Sequence, residues 1–189
     1  MKLLETKIRQ LIDAGIRPDL DQFLSRRIEV DIVDSVAADF AECFADKGVT
    51  VVLTAEPAGI AIAYATAAKL GCPAIFARKR QGEVGYAATV NSKTNTTLHL
   101  PKSFLKKNDR VLIVDDCIGM GGIALALIEL VRQAGAELVG VGVALERAYL
   151  GAGKKLREQG IRMRSVVSVE SDDGALGIVL EKQGKRRTV

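Results

Sequence analysis

The stretch from Arg110 to Leu125 constrains the fold of this chain more than any other. Val111, Leu112, Ile113 and Val114 form an unbroken branched apolar run, the pattern of a strand covered on both faces in a parallel sheet. Asp115 and Asp116 stand where that strand is expected to leave the sheet. Cys117 to Gly122 read as a loop with three glycines, and helical periodicity takes over at Ile123. Open α/β sheets bind their ligands at the carboxyl ends of strands. A glycine-rich loop opening a helix offers free backbone N–H groups and a positive dipole end, which suits a phosphate. Two acids beside an anion site conflict unless a sugar diol or a divalent cation lies between them. A phosphorylated ribose meets all of these demands.

Glycine and aspartate also serve simply to turn corners in α/β proteins. Two better-known phosphate motifs are excluded. No Gly-Lys-Ser/Thr triplet occurs in the loop, so it is not a Walker P-loop, and the G-x-G-x-x-G spacing of a dinucleotide site is absent. The acid pair directly ahead of the glycines is what sets this loop apart.

The rest of the chain fits one compact α/β domain spanning 1–189, long enough to bury its own core. Lys2 to Ala14 is predicted as an amphipathic helix ended by Gly15, with Pro18 opening an irregular segment through Arg27. Ile32 to Lys47 is predicted as a second helix, Val49 to Thr54 as a buried strand, and Glu56 to Gly59 as a turn. A helix over Ile60 to Leu70 and a strand over Ala74 to Ala77 complete a parallel crossover unit. Val111 to Val114, a helix from Ile123 to Ala134 and a strand over Leu138 to Ala144 repeat it. Between the units, Gln81 to Leu100 reads as a two-stranded excursion with a mobile tip; the bland alternative is a plain surface hairpin.

Several classes of function fall away. No apolar window is long enough to span a membrane, and the charged first residues do not resemble a signal peptide. Cys43, Cys72 and Cys117 are too few and too scattered for a disulfide frame or a zinc site, which points to reduced thiols in the cytoplasm. The single histidine, His99, cannot build a histidine metal cluster. The net charge of +4 gathers partly at Lys182 to Arg187 and around Arg78 to Arg80. Without interleaved aromatics or a helix-turn-helix pattern, nucleic acid is not the expected partner. The tail reads as solvated, and the internal cluster as facing a polyanionic substrate.

Strand, acid pair, short loop and Gly-Gly together resemble the phosphoribosyl pyrophosphate motif of the type I phosphoribosyltransferases. The resemblance implies a central parallel sheet flanked by helices, a small hood (about 15–30 and the C-terminal region) and a flexible hairpin lid (about 80–100). It implies that Asp115 and Asp116 hold the ribose hydroxyls and that Gly119, Met120, Gly121, Gly122 and Ile123 cradle the 5-phosphate. Most members carry threonine or serine where Ile123 stands, so one hydroxyl contact is missing and weaker binding is expected. Gly119 replaces the base-facing aspartate of the hypoxanthine-guanine branch, which disfavours that branch. Glu56, Pro57, Ala58 and Gly59 correspond to the pyrophosphate loop, with Arg78 and Lys79 beside it. Here too the alternative is an ordinary strand-to-helix turn, and Pro57 removes one backbone donor. Ser92 and Thr94 fall in the lid, which would exclude water from a reactive glycosyl intermediate.

Leu20 to Ser25, Phe76 to Lys79 and Val141 to Arg147 are similar to segments of the bacterial xanthine phosphoribosyltransferases. That resemblance implies a purine base held by Pro18, Ser25 and Arg147, with Mg²⁺ bound mainly through substrate, and a homodimer. Arg147 has only donors and so suits a 6-oxo group; its other reading is a surface salt bridge with Glu146 or a neighbour. Ser25 is shorter than the asparagine usual at its place, so its reach to the 2-position is in question. Adenine remains the alternative base. The stretch Asn91 to Asp116 also resembles the effector domain of purine repressors, so a non-catalytic sensor of phosphoribosyl pyrophosphate is the second alternative. Such repressors carry an additional winged-helix domain for which these 189 residues have no room.

Overall fold

A computed structural model describes residues 3–16, 18, 20, 23–79, 84–91, 96–172 and 175–179. Helix α1 (Leu3–Asp13) precedes α2 (Val30–Phe44), which tightens into a 3₁₀ turn over Ala45–Lys47. Then come β1 (Val51–Ala55), α3 (Ile60–Leu70) and β2 (Ala74–Ala77). The excursion is a hairpin, β3 (Tyr86–Asn91) and β4 (Thr96–Leu100). Strand β5 (Arg110–Ile118), α4 (Gly122–Ala134) and β6 (Glu137–Arg147) follow. The described chain closes with α5 (Ala152–Glu158), β7 (Met163–Asp172) and β8 (Ala175–Val179).

The main sheet runs in the order β2-β1-β5-β6-β7-β8. Its first five strands are parallel, as each helical crossover requires, and β8 adds an antiparallel edge. Alternate strand residues separate the core into two layers. Val52, Leu112 and Val114 pack under α1, α2 and α3, whereas Val51, Leu53, Val111 and Ile113 pack under α4 and the hairpin. A buried ion pair, Arg164 Nε to Asp39 Oδ2 at 2.6 Å, ties β7 to α2. No helix among the described residues is long and apolar enough to cross a membrane.

Four expectations need correction. Strand β5 does not end before the acids but runs through Asp115, Asp116 and Cys117 to Ile118. The cause is β6, which stays paired to it at Asp115↔Val143, Cys117↔Leu145 and Ile118↔Glu146. The glycine loop therefore contracts to Gly119–Gly121. Strand β6 likewise extends past Ala144 to Arg147, so Arg147 sits on the strand end. The antiparallel β8 and the pair α5 and β7 have no counterpart in the sequence reading. The hairpin stem, by contrast, falls where it was expected, and it is built into the core. Ala88, Leu98 and Leu100 are buried, and the Gln133 amide on α4 exchanges two hydrogen bonds with the Ala87 backbone at 3.2 and 2.9 Å. The tip, with Ser92 and Thr94, lies outside the described residues.

Gly140 shows how tightly α2 rides on the sheet. A Cβ there would lie 2.6 Å from Phe44 Cε1 and 2.8 Å from the Arg162 carbonyl oxygen. One neighbour is core aromatic and the other is backbone, so neither can yield cheaply. Gly140→Ala is expected to destabilise the fold by about 1–3 kcal/mol, read from the urea midpoint, by overpacking this seam.

Candidate active site

The site lies at the carboxyl edge of the parallel sheet, where β1, β5 and β6 end next to the helices that follow them. Asp115 is buried, 6% exposed, while its neighbour Asp116 is half-buried. The Asp116 backbone N–H donates to Asp115 Oδ1 at 2.9 Å, and Ser25 Oγ donates to Asp116 Oδ2 at 3.4 Å. Burial raises the Asp115 carboxyl well above its usual range, and the charge of Asp116 adds to the rise; Lys79 pulls the other way. Asp116 is raised as well, again through burial, with hydrogen bonds from Asp115, the Cys117 backbone and Ser25 holding it back. Two acids this close titrate as a unit.

The turn after β1 abuts this pair. A Cβ on Gly59 would lie 2.9 Å from Asp115 Oδ1 and 1.9 Å from Thr54 Oγ1, so only glycine lets the start of α3 approach the carboxylate. The Thr54 hydroxyl is buried there without a hydrogen-bond partner among the described residues. Glu56 and Arg78 form an ion pair at 3.5 Å, and the Arg78 guanidinium also stacks over Phe76 at 5.2 Å. The Arg78 backbone bridges to His99 of β4, which fixes the hairpin to the end of β2. Lys79 is exposed one residue further on.

On the other side, Gly121 adopts φ +84° ahead of α4, a conformation that favours glycine. No side chain caps α4, so its first N–H groups have no intrahelical partner and point out of the helix end. The loop is walled in closely. Cβ atoms at Gly119, Gly121 and Gly122 would come within 3.0 Å of Leu150 Cδ1, 2.8 Å of Ala152 Cβ and 2.8 Å of the Val90 carbonyl oxygen. Met120 is exposed and Ile123 half-buried.

Arg147 is half-buried at the end of β6 and has no ion pair or hydrogen bond among the described residues. The alternative salt bridge with Glu146 does not form, because Glu146 takes both terminal nitrogens of Arg157 at 2.8 and 2.6 Å. Arg147 stands close enough to Cys117 to oppose its rise. Burial pushes that thiol up to about 12, and Asp116 and Asp115 add to the push.

The geometry thus gathers Asp115, Asp116, Ser25, Gly59 and Lys79 into one cluster, with the Gly119–Ile123 loop and Arg147 along the same edge. Pro18 is buried in the N-terminal segment. Two features escape a sequence reading. Thr54 looks like any polar residue at a strand end, and the Glu146–Arg157 pair spans a strand and a helix with no local spacing to announce it.

A parallel sheet covered by helices, with an acid pair and an uncapped glycine turn at its carboxyl edge, is the type I phosphoribosyltransferase architecture. Residues 19–171 match the family model described as phosphoribosyl transferase domain. The chain is 38% identical over 189 residues to the xanthine phosphoribosyltransferase of Bacillus cereus strain G9842, covering 95% of this chain and 96% of that one. It is 36% identical over 192 residues to the xanthine phosphoribosyltransferase of Bacillus mycoides strain KBAB4, covering 96% and 98%. Among solved structures, the adenine phosphoribosyltransferase of Leishmania tarentolae aligns with a TM-score of 0.68 at 21% identity, over 80% of this chain and 76% of that one. At that identity the likeness speaks to the fold alone. The chain belongs to the phosphoribosyltransferase family.

The buried acid generates a prediction about stability. The folded pKa of Asp115 lies above the unfolded one, so the folded chain holds the extra proton and is favoured below that window. Stability falls as pH rises through the window from the usual carboxylate value to the raised one. Asp115→Asn removes this penalty. Its thermal midpoint is expected to exceed wild type at pH 7, with the difference shrinking toward pH 4.

Proposed function

We propose that this protein transfers the phosphoribosyl group of phosphoribosyl pyrophosphate to a 6-oxopurine, xanthine first, giving the nucleoside monophosphate and pyrophosphate. The observation that carries the reading is the acid pair of β5 lying against Gly59 on one side and the uncapped glycine turn of α4 on the other. The identity to xanthine phosphoribosyltransferases along nearly the whole chain supports the choice of base.

In the proposed arrangement Asp115 and Asp116 accept hydrogen bonds from the ribose 2′- and 3′-hydroxyls and stabilise positive charge building on the ring. Gly119, Met120, Gly121, Gly122 and Ile123 hold the 5-phosphate through backbone N–H groups at the start of α4. Glu56, Pro57, Ala58 and Gly59 form the pyrophosphate loop, with Lys79 as a cation and Arg78 partly engaged by Glu56. The base nitrogen attacks C1′, the C1′–oxygen bond breaks with its electron pair leaving on pyrophosphate, and the proton of the ring nitrogen passes to the departing pyrophosphate. No side chain is assigned as general base, and fixed orientation supplies most of the assistance. Arg147 donates to the 6-oxo group, while Pro18 and Ser25 line the base side. Ser92 and Thr94 belong to the lid.

Mg²⁺ prefers oxygen ligands and keeps waters beside phosphates. In the proposed arrangement such an ion would be held chiefly by the oxygens of the substrate. The acid pair would meet it through the ribose diol, and the ion would neutralise charge on the departing pyrophosphate. The proposal extends to a single domain with its hood, a homodimer and a cytoplasmic setting, the dimer to be checked by sedimentation.

Three measurements test the reading. Pyrophosphate release is measured with phosphoribosyl pyrophosphate, Mg²⁺ and each of xanthine, guanine, hypoxanthine, adenine and orotate; no turnover with any base would mark the protein as a sensor. Asp115→Asn combined with Asp116→Asn is expected to lose at least ~3 kcal/mol of transition-state stabilisation, about two orders of magnitude in rate. A guanidinium cannot accept from the 6-amine of adenine, and a lost charged hydrogen bond is worth about 1.5–3 kcal/mol. Xanthine is therefore expected to exceed adenine at least about tenfold in kcat/KM, and Arg147→Ala to erase most of that preference.

A further inference from the structure

Beside the base-facing end of β6 lies a buried ionic cluster that the reaction scheme does not use. Glu146 is 3% exposed and accepts from Arg157 Nη1 at 2.8 Å and Nη2 at 2.6 Å. The Ser165 and Ser168 hydroxyls of β7 also donate to its Oε2. Burial works against the charge on Glu146, yet the Arg157 and Ser165 hydrogen bonds outweigh it and hold the carboxyl below its usual range. Helix α5 is pressed onto the pair: a Cβ at Gly153 would lie 1.9 Å from Glu146 Oε1 and 3.0 Å from Arg157 Nη1.

The cluster brackets a short piece of chain. Glu146 immediately precedes Arg147 and the 3₁₀ turn Ala148–Leu150; Gly151 then leads into α5, which carries Arg157. One bidentate ion pair thus pins both ends of the segment that presents Arg147. Midway along it, Leu150 packs against Gly119 and Ala152 against Gly121, so the middle of the segment has packing support of its own, whereas Arg147, next to Glu146, depends on the pinned end. A buried carboxylate costs desolvation unless it is fully paired, and here it is paired by a planar fork that fixes direction as well as charge.

We propose that Glu146 and Arg157 are positioning residues: their bidentate pair sets the direction in which Arg147 meets the purine and thereby governs affinity for the base. The inference rests on the base-reading role given to Arg147 above. Arg147 has no ion pair or hydrogen bond among the described residues to fix its direction independently, so slack in the backbone that carries it passes into the contact with the base.

The test measures separate KM values for xanthine and for phosphoribosyl pyrophosphate by pyrophosphate release, together with thermal midpoints, in wild type, Arg157→Met and Arg157→Lys. Arg157→Met is expected to raise KM for xanthine at least about tenfold and KM for the sugar diphosphate at most about threefold, with kcat changed less than KM for xanthine. Should the methionine variant fail to fold, Arg157→Lys decides. It keeps the charge without the fork, so a raised xanthine KM at a near-wild-type midpoint supports the proposal. An unchanged xanthine KM, or both KM values rising together as the midpoint falls, overturns it. An Arg147→Ala control separates the two layers of the argument. If its xanthine KM is unchanged, the base-reading role falls and the positioning role with it. If it is raised there but normal in the Arg157 variants, only the positioning role is overturned.

Discussion

The ladder between β5 and β6 is the constraint on which the site depends. Five central strands are parallel, and their slanted hydrogen bonds normally lapse where side chains turn polar and the chain leaves for a helix. Here β6 keeps pairing β5 through Asp115↔Val143 to Ile118↔Glu146. The ladder therefore carries the two carboxylates of β5 on regular backbone rather than on loops, and it keeps β6 regular as far as Glu146, one residue before Arg147. Groups held on strands keep their direction better than groups on loops. Only Gly119–Gly121 then separates the last paired residue from α4, which leaves the turn little freedom to wander.

Close approach does the rest. Gly59, Gly119, Gly121, Gly122 and Gly153 each stand where a methyl group would collide with a neighbour. At Gly59 the collision is with Asp115 and Thr54, which shows that the first helical turn of α3 and the acid pair share one boundary. The hairpin contributes in the same manner, since the Val90 carbonyl lies over Gly122. Its stem is fastened to α4 by Gln133 and to the end of β2 by the Arg78–His99 bridge.

Legibility in the sequence followed hydropathy. Helix α3 is read with its observed bounds, because Gly59 and Gly71 flank a long, mostly apolar run in which the buried Thr66 hydroxyl does not interrupt the period. Strand β5 is read at its apolar half and missed at its polar half, since paired acids look like a strand end. Strand β7 is missed for a related reason: its Arg164, Ser165 and Ser168 are polar because they satisfy Asp39 and Glu146 inside the protein. Partners distant in sequence give that strand its composition, and no window over β7 alone contains them. Helix α5 has only seven residues, and Gly153 inside it lowers its helix propensity, so no period emerges. Ser25 is identified as a site residue, but its place is beside Asp116, a contact spanning 91 positions that only the fold supplies.

The placement of charge explains how two acids can coexist with a polyanionic substrate on the proposed reading. Phosphate oxygens near two full carboxylate charges would be repelled. Burial and mutual repulsion instead keep Asp115 inclined to hold its proton in the free protein, at the expense of stability near neutral pH. Lys79 and the helix ends of α3 and α4 bring the opposing positive potential. With Pro57 lacking an N–H and Ile123 lacking a hydroxyl, anion recognition rests on the remaining backbone donors. Those donors cannot adjust their direction as a side chain can, so the close packing of the glycine turns against Leu150, Ala152 and Val90 is what holds them in place. The phosphate side of the site thus keeps its place through packing contacts of its own.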